Sequence, residues 1–352
     1  MKKLFNLLFL FFFTGTLSVF AQKGMVELLT AGKDDAGKLI DGYINPFLNT
    51  FGNNLNNSWY NTAEPLKLGR FCVSLGMTTS LVPKDEKTFT IDPSNYSTIS
   101  TTDNQPVSTQ TVFGKNKSGE TIYINYSTSG GNKQIPLALP KGLGMGVLPL
   151  PIAQVSVGLV KGTEIMLRVL PKINIGDRKF SYMGGGIKHS FKESIPVLKN
   201  APIDLAIIAA YSHGNLELAN GPFLSPQNGV TNTTTADYTD QIIKFGSNAW
   251  NANLIISKQF TVFTAFGGFR VSHYKTNLDL TGNYPITVYN NSGTKTINNL
   301  KDPISIDDSA TQFGVNAGFR LKFGFFAFFA DGIWSPGGYS SVTAGIGLGL
   351  FN

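Results

Sequence analysis

Residues 311–323 read TQFGVNAGFRLKF, in which Phe313, Val315, Ala317, Phe319, Leu321 and Phe323 alternate with Gly314, Asn316, Gly318, Arg320 and Lys322. A period of two puts the apolar side chains on one face of a β-strand and the polar ones on the other. In a soluble protein the apolar face turns to a core; in a membrane barrel it turns to lipid and the polar face lines the lumen. The same division recurs at 66–82, where Phe71, Val73, Leu75, Met77 and Leu81 oppose Arg70, Cys72, Ser74, Gly76, Thr78 and Ser80. It recurs in predicted hairpins at 152–170 and 247–274, and further strands are expected at 178–191, 203–215, 238–257, 304–323, 325–335 and 340–351. The facing of 178–191 stays open, because either parity puts an awkward residue toward lipid.

Parity also sets register. A three-residue loop at 161–163 pairs Val160 with Glu164 and puts Leu159 opposite Ile165, leaving Ser156, Glu164 and Arg168 together on the polar face. A turn at Lys258 and Gln259 pairs Ser257 with Phe260 and sets Trp250 across from Gly267. A turn at Gly324 and Phe325 pairs Phe323 with Phe326, so that Phe329 lies opposite Arg320 and Asp331 diagonal to it; a charge pair between Arg320 and Asp331 is expected. The short breaks (161–163, 191–202, 258–259, 324–325) then fall at one end of the barrel. The long ones (83–150, 216–237, 283–303) fall at the other, as periplasmic turns and extracellular loops do. TIYINYS at 121–127 is a candidate strand within the first long break, and 190–202 reads as a short helical turn.

Residues 22–64 follow a different rhythm. Leu28, Leu29, Ala36, Leu39, Ile40, Tyr43, Ile44, Phe47, Leu48 and Phe51 recur at helical spacing, with Lys33, Asp34, Asp35 and Lys38 on the other side. Pro46 is expected to kink or restart the helix, and GNNLNNSWYNTAEP reads as a turn-rich passage into the first strand. Such a helix either plugs or gates the barrel, or packs at its mouth; amphipathicity requires an apolar partner without naming it.

Composition supports export and a barrel. The chain opens MKKLFNLLFLFFFTGTLSVFAQ, the layout of a secretory signal peptide with cleavage expected after Ala21. Only 14% of the 352 residues are charged, while Gly (38) and Phe (27) are abundant. No later stretch approaches the roughly 20 apolar residues of a spanning helix, so a membrane-spanning form would have to be a closed barrel. A formal charge of +7, spread along the chain and reduced by two without Lys2 and Lys3, does not suggest nucleic acid. The single Cys72 excludes an intramolecular disulfide framework. The chain ends GLGLFN, so Phe351 is penultimate rather than terminal.

No catalytic, cofactor or metal site is expected. His189, His213 and His273 each adjoin a serine (Ser190, Ser212, Ser272), but neighbours on a strand point to opposite faces, so none of these dipeptides is itself a dyad. A dyad across strands stays open, against which two of the histidines sit near strand ends, where polar rim residues are expected. The glycine runs at 183–187 and 344–350 are not followed by a helix, as a nucleotide site requires. The candidate lumen-lining residues are Arg168, Arg270, Arg320 and Lys322, with Glu164 and Asp331. On a lumen face they either tune selectivity or pair with Glu164, Asp204, Asp331 or loop carboxylates to knit a filled interior.

Several blocks, LLTAGKDDAGKLIDGYINPFLNTFGNNLNNSWYNTAEPLKLGRF, GTEIMLRVLPKINIGDRKF, GIKHSFKESIPVLKNAPIDLA, TVFTAFGGF, GNYPI and FRLKFGFFAFFADG, resemble a Bacteroidota outer-membrane β-barrel family of unknown function, the DUF6588 type. The resemblance implies a barrel with an N-terminal helix, no assigned activity and no catalytic residues. The architecture is also similar to fatty-acid-transporter-type barrels, without a shared motif. The expectation is an all-β, antiparallel transmembrane β-barrel of about 10 to 14 strands with an N-terminal amphipathic helix. It divides into a signal peptide (1–21), a plug or gate (22–64) and a barrel (65–352). Its expected role is passive transport of a small apolar or amphipathic solute across the outer membrane, with 25–52 as gate. The alternative is a structural or accessory barrel docking to an envelope protein partner.

Overall fold

The computed structural model describes residues 24–351 apart from 177, 193, 220, 228 and 233–235. The predicted signal peptide and its cut site lie outside the described residues.

Ten strands form a closed barrel: β1 (Phe71–Leu81), β2 (Val147–Gly158), β3 (Thr163–Ile175), β4 (Arg178–Ser190), β5 (Asp204–Ala219), β6 (Ile242–Phe260), β7 (Phe263–Thr281), β8 (Ile304–Phe323), β9 (Phe326–Trp334) and β10 (Ser341–Gly349). Each pairs antiparallel with its sequence neighbours, and β1 closes the ring on β10 through pairs such as Leu75 with Ile346. Ten is the lower end of the expected range.

The apolar parity faces out. Phe71, Val155, Leu167, Ile187, Leu254, Phe269, Phe313, Phe328 and Trp334 are exposed on the wall, and they meet around the circumference in a belt no monomeric soluble protein presents to water. That belt is the lipid-facing surface of a transmembrane barrel. The open question at 178–191 resolves with Met183 and Ile187 outward, and Tyr182 and Lys188 buried inside.

Two turns sit elsewhere than predicted. Between β2 and β3, Lys161 and Gly162 both take positive φ and Thr163 N–H donates to Val160 O, a two-residue turn. Leu159 is then an extra residue on the first strand, so Glu164 pairs with Gly158 rather than Val160, and Ile165 with Val157. Between β6 and β7 the turn is Thr261 and Val262, pairing Phe260 with Phe263; Trp250 faces His273, not Gly267. Both offsets are even, so no side chain changes face. The Gly324–Phe325 turn and the Phe323–Phe326 pair are as predicted.

The lumen is occupied by the N-terminal segment. After a 3-10 turn at Leu28–Ala31, α1 (Lys33–Leu55) runs through Pro46 as one helix, so it does not restart there. Its first turn is pinned at the long-loop end: the buried Asp35 carboxylate accepts from the Ser97 and Thr98 amides and from Thr98 Oγ1. The long loops are folded. They contribute a two-stranded sheet (Thr88–Ile91 with Val107–Gln110), a three-stranded sheet around Thr121–Thr128, and a third in which Asn283–Tyr289 pairs with Lys295–Lys301. The predicted strand at 121–127 therefore belongs to this cap and not to the barrel. Leu39, Ile40, Tyr43 and Phe47 of α1 join Ile91, Phe113, Ile122 and Tyr284 of the cap in one apolar core. The predicted turn at 190–202 contains the helical turn Pro196–Lys199.

Candidate functional site

The lower half of the lumen, from Phe51 to the short-turn end, is where charge and polarity concentrate. The stretch NNLNNSWYNT, which reads as a turn in sequence, lies inside the barrel: the last turn of α1, then an irregular descent through bends to Leu66. Its amides bond to inward positions of the wall. Asn53 Nδ2 donates to Ser80 Oγ (2.8 Å), Asn54 Nδ2 to Leu148 O (2.6 Å) and Asn57 Nδ2 to Thr78 Oγ1 (3.1 Å). Lower down, Tyr60 OH donates to Asn316 Oδ1 (2.8 Å) and the Ala63 amide to Ser257 Oγ (3.0 Å). Buried amides need partners, and the inward positions of the period-two strands supply hydroxyls and amides to meet them.

All four cationic candidates are on inward parity, but they are spent differently. Arg270 donates through Nη1 to Asn57 Oδ1 (2.5 Å) and through Nη2 to Asn53 Oδ1 (2.8 Å), holding the end of α1. Arg168 donates Nε to Gln154 Oε1 (3.0 Å) and lays its guanidinium over the Trp59 ring at 3.9 Å. Arg320 is buried, 5.9 Å from the Phe351 ring centroid. Lys322 sits one residue before the β8–β9 turn pair, half-buried at the short-turn rim.

Glu164 accepts from the Leu66 amide (2.9 Å) and pairs with Lys188 (2.9 Å), while Asp204 pairs with Lys192 (3.0 Å). The predicted Arg320–Asp331 pair is not made. Asp331 is diagonal to Arg320 as the register required, yet its Oδ1 and Arg320 Nε are both buried without a hydrogen-bond partner. Gly318, directly opposite Asp331, leaves room for the Phe266 ring, whose Cζ would lie 2.5 Å from a Cβ there.

Sequence reasoning missed Trp59, Lys188 and Gln154. Trp59 fits because Gly184 and Gly186 face inward: a Cβ on Gly186 would sit 3.1 Å from its ring. The signal available in sequence was the run MGGGI, whose glycines make room for a bulky group from another segment. Below Trp59 a cavity of about 30 Å³ is lined by Thr62, Cys72, Glu164, Lys188, Arg320 and Phe351, enough for one or two waters.

The histidines lie on the outer wall. His213 and His273 bond to Asn248 and Thr311 there, whereas Ser212 and Ser272 are buried in the lumen. No group of three or more His, Cys, Asp or Glu placed to hold a metal occurs among the described residues.

No curated protein matches this chain. Among solved structures it is similar to Ail, the attachment invasion locus protein of Yersinia pestis (9% identity, covering 80% of this chain and 97% of that one, TM-score 0.28). It is similar also to the N-terminal β-barrel domain of Pseudomonas aeruginosa OprF (13%, 49% and 91%, TM-score 0.20). A third is the translocator domain of the autotransporter NalP from Neisseria meningitidis (9%, 91% and 99%, TM-score 0.25). The sequence match is far more extensive: residues 1–350 fit one family model, and the chain belongs to that family, described as "Family of unknown function (DUF6588)".

Proposed function

We propose that the protein is an outer-membrane barrel held closed by its own N-terminal segment, an anchor that carries a folded cap at the cell surface. The observation that carries this reading is the course of the backbone from Gly24, against Pro140 of the cap, to Leu66, bonded to Glu164 near the short-turn end. The segment crosses the whole lumen. Its upper part is packed in an apolar core and its lower part is bonded to the wall. Orientation follows from loop length, since short turns of such barrels face the periplasm and long loops the exterior. The role is structural or accessory, with another envelope component as docking partner.

Transport of a small apolar or amphipathic solute is the second reading, and it requires the segment to move. One observation favours it: Arg168 Nη2, Arg320 Nε and Asp331 Oδ1 are buried in the lower lumen without hydrogen-bond partners, the condition of groups that water would satisfy.

Planar-bilayer conductance and liposome swelling separate the two, using the intact protein and the double variant Ala63→Cys with Ser257→Cys, which ties the segment to β6 when oxidised. The closed anchor gives no flux with or without the tie. Flux in the intact protein that oxidation abolishes and reduction restores would replace this reading with gated transport.

A further inference from the structure

From the short-turn end upward, the outward face of β6 reads Ile256, Leu254, Ala252, Trp250, Asn248, Gly246 and Lys244. Successive outward residues are about 6.6 Å apart, so one face passes from aliphatic through aromatic to amide and lysine. The wall is lopsided here. β9 ends at Trp334, paired with Val315, whereas β8 continues from Gly314 up to Ile304, flanked by equally tall β5, β6 and β7. This side of the barrel carries a polar outer face above the lipid belt.

The face has an open recess low on the wall and, above it, a glycine covered by side-chain amides. In the recess Ala252 pairs with Ala209, and the short side chains leave a concavity of about 720 Å³ bounded by Ile187, Ile207, Leu254, Phe269 and Phe313. The glycine, Gly246, lies between Asn215 and Asn277 in the register. A Cβ on Gly246 would meet their amide oxygens at 3.6 Å and 2.6 Å, so both carbonyls lean over it. Between the recess and the glycine stand the half-exposed rings of Tyr211 (52%) and Trp250 (43%). A hydrogen-bonded ladder supports them: Tyr211 OH to Asn248 Oδ1 (2.7 Å), His213 Nδ1 with Asn248 Oδ1 (2.9 Å), and Asn215 Nδ2 with His213 Nε2 (2.8 Å).

An aromatic girdle alone accounts for Tyr211 and Trp250. It does not account for an apolar recess beneath them or for amides braced above them. Exposed aromatic faces beside fixed amides suit the alternating C–H and hydroxyl surfaces of a sugar. The apolar recess suits an acyl chain, because it lies in the hydrocarbon-facing belt. The polar track runs about 20 Å along the tilted strand above Trp250, a length matched to a saccharide rather than to a phospholipid head group. We propose that this strip of wall is a binding site for a glycolipid, with an acyl chain in the Ala209–Ala252 recess and the saccharide along Trp250, Asn248 and Gly246. The site is on the outside of the barrel and does not depend on whether the lumen opens; it does rest on the barrel spanning a glycolipid-bearing membrane.

The test uses the full protein in phosphatidylcholine nanodiscs, titrated with rough-type lipopolysaccharide and read by native mass spectrometry. Deacylated saccharide from the same source and phosphatidylglycerol serve as the two half-ligands. Lipopolysaccharide is expected to bind at least tenfold tighter than either. Gly246→Leu and Ala252→Phe should each weaken it by tenfold or more, while Val342→Phe on the far wall leaves it unchanged. Both site variants point away from the core, and heat-modifiable gel migration verifies that they fold. Equal binding of phosphatidylglycerol, or site variants that bind like the parent, would overturn the proposal. So would a lipid-independent disulfide dimer of Ala252→Cys, which would make a second copy the occupant of the recess.

Discussion

Arg270 and Asn57 are 213 positions apart in the chain, and the guanidinium of one donates to the amide oxygen of the other at 2.5 Å inside the lumen. Together with the bond to Asn53, this is the charged link between the wall and the end of α1. Arg270→Met removes two charge-assisted bonds worth about 1.5 to 3 kcal/mol each and leaves the asparagine oxygens to find water. Amides of residues 53–59 are expected to exchange at least about tenfold faster, with those of β6 and β7 unchanged. Unchanged exchange at 53–59 would mean that the apolar upper half alone retains the segment.

Gly186 should be intolerant for a reason located in another element. A Cβ there meets Trp59 Cε3 at 3.1 Å and Ala210 Cβ at 3.0 Å. Gly186→Leu overpacks the lumen at a cost of about 1 to 3 kcal/mol and is expected to expel Trp59, exposing residues 57–66 to protease added at the short-turn side. Ala210→Gly in the same background removes one of these close contacts and is expected to recover only part of the loss, because the Trp59 ring still meets the new side chain.

Glu86 gives the cap a pH dependence. It lies outside the spanning strands, in the 3-10 turn Asp85–Lys87, and accepts a hydrogen bond from the Tyr339 hydroxyl. Burial, with the charges of Asp85 and Asp308 adding to it, pushes its carboxyl up from 4.5 to about 7. Between those values the folded protein binds more proton than the unfolded one, so the group's contribution is full below about 4.5 and is lost as pH rises through about 7. Hydrogen exchange in the 335–340 loop, corrected for its intrinsic pH dependence, should reveal loosening across that window, and Glu86→Gln should remove the trend.

Orientation is checked on whole cells with a membrane-impermeant maleimide, since the native Cys72 is buried. Lys117→Cys in the cap is expected to label on intact cells, and Lys161→Cys in the β2–β3 turn only after permeabilisation. The reverse pattern would turn the barrel over.

The barrel was legible because its signal is redundant. Parity survives any even slip, so the turn misplaced at Lys258 and Gln259 left Leu254, Phe269 and Arg270 on their true faces. Those two residues look like a turn because they are polar, but the strand runs on through them to Phe260, which pairs with Phe263 across the true turn. The lumen was not legible to the same degree. Asparagines in NNLNNSWYN have turn propensity, and nothing local distinguishes an amide that bends the chain from one that meets Thr78 or Arg270 across a lumen. The Arg320–Asp331 expectation failed on the same ground: register fixes which backbone positions are neighbours, not where their side chains reach.

The chain enters α1 at the cap and leaves the lumen at Leu66, immediately before β1, the strand whose pairing with β10 closes the ring. This imposes an order of events on biogenesis. A ring that sealed first would leave a 43-residue segment, helix included, to be fed through a ten-stranded bore. The simpler sequence has the sheet curl around the segment, with β1 and β10 meeting last. The plug is then a mandrel: Arg270, Ser257 and Thr78 find their partners while the sheet is still open, and the finished circumference is set by what it was wrapped upon.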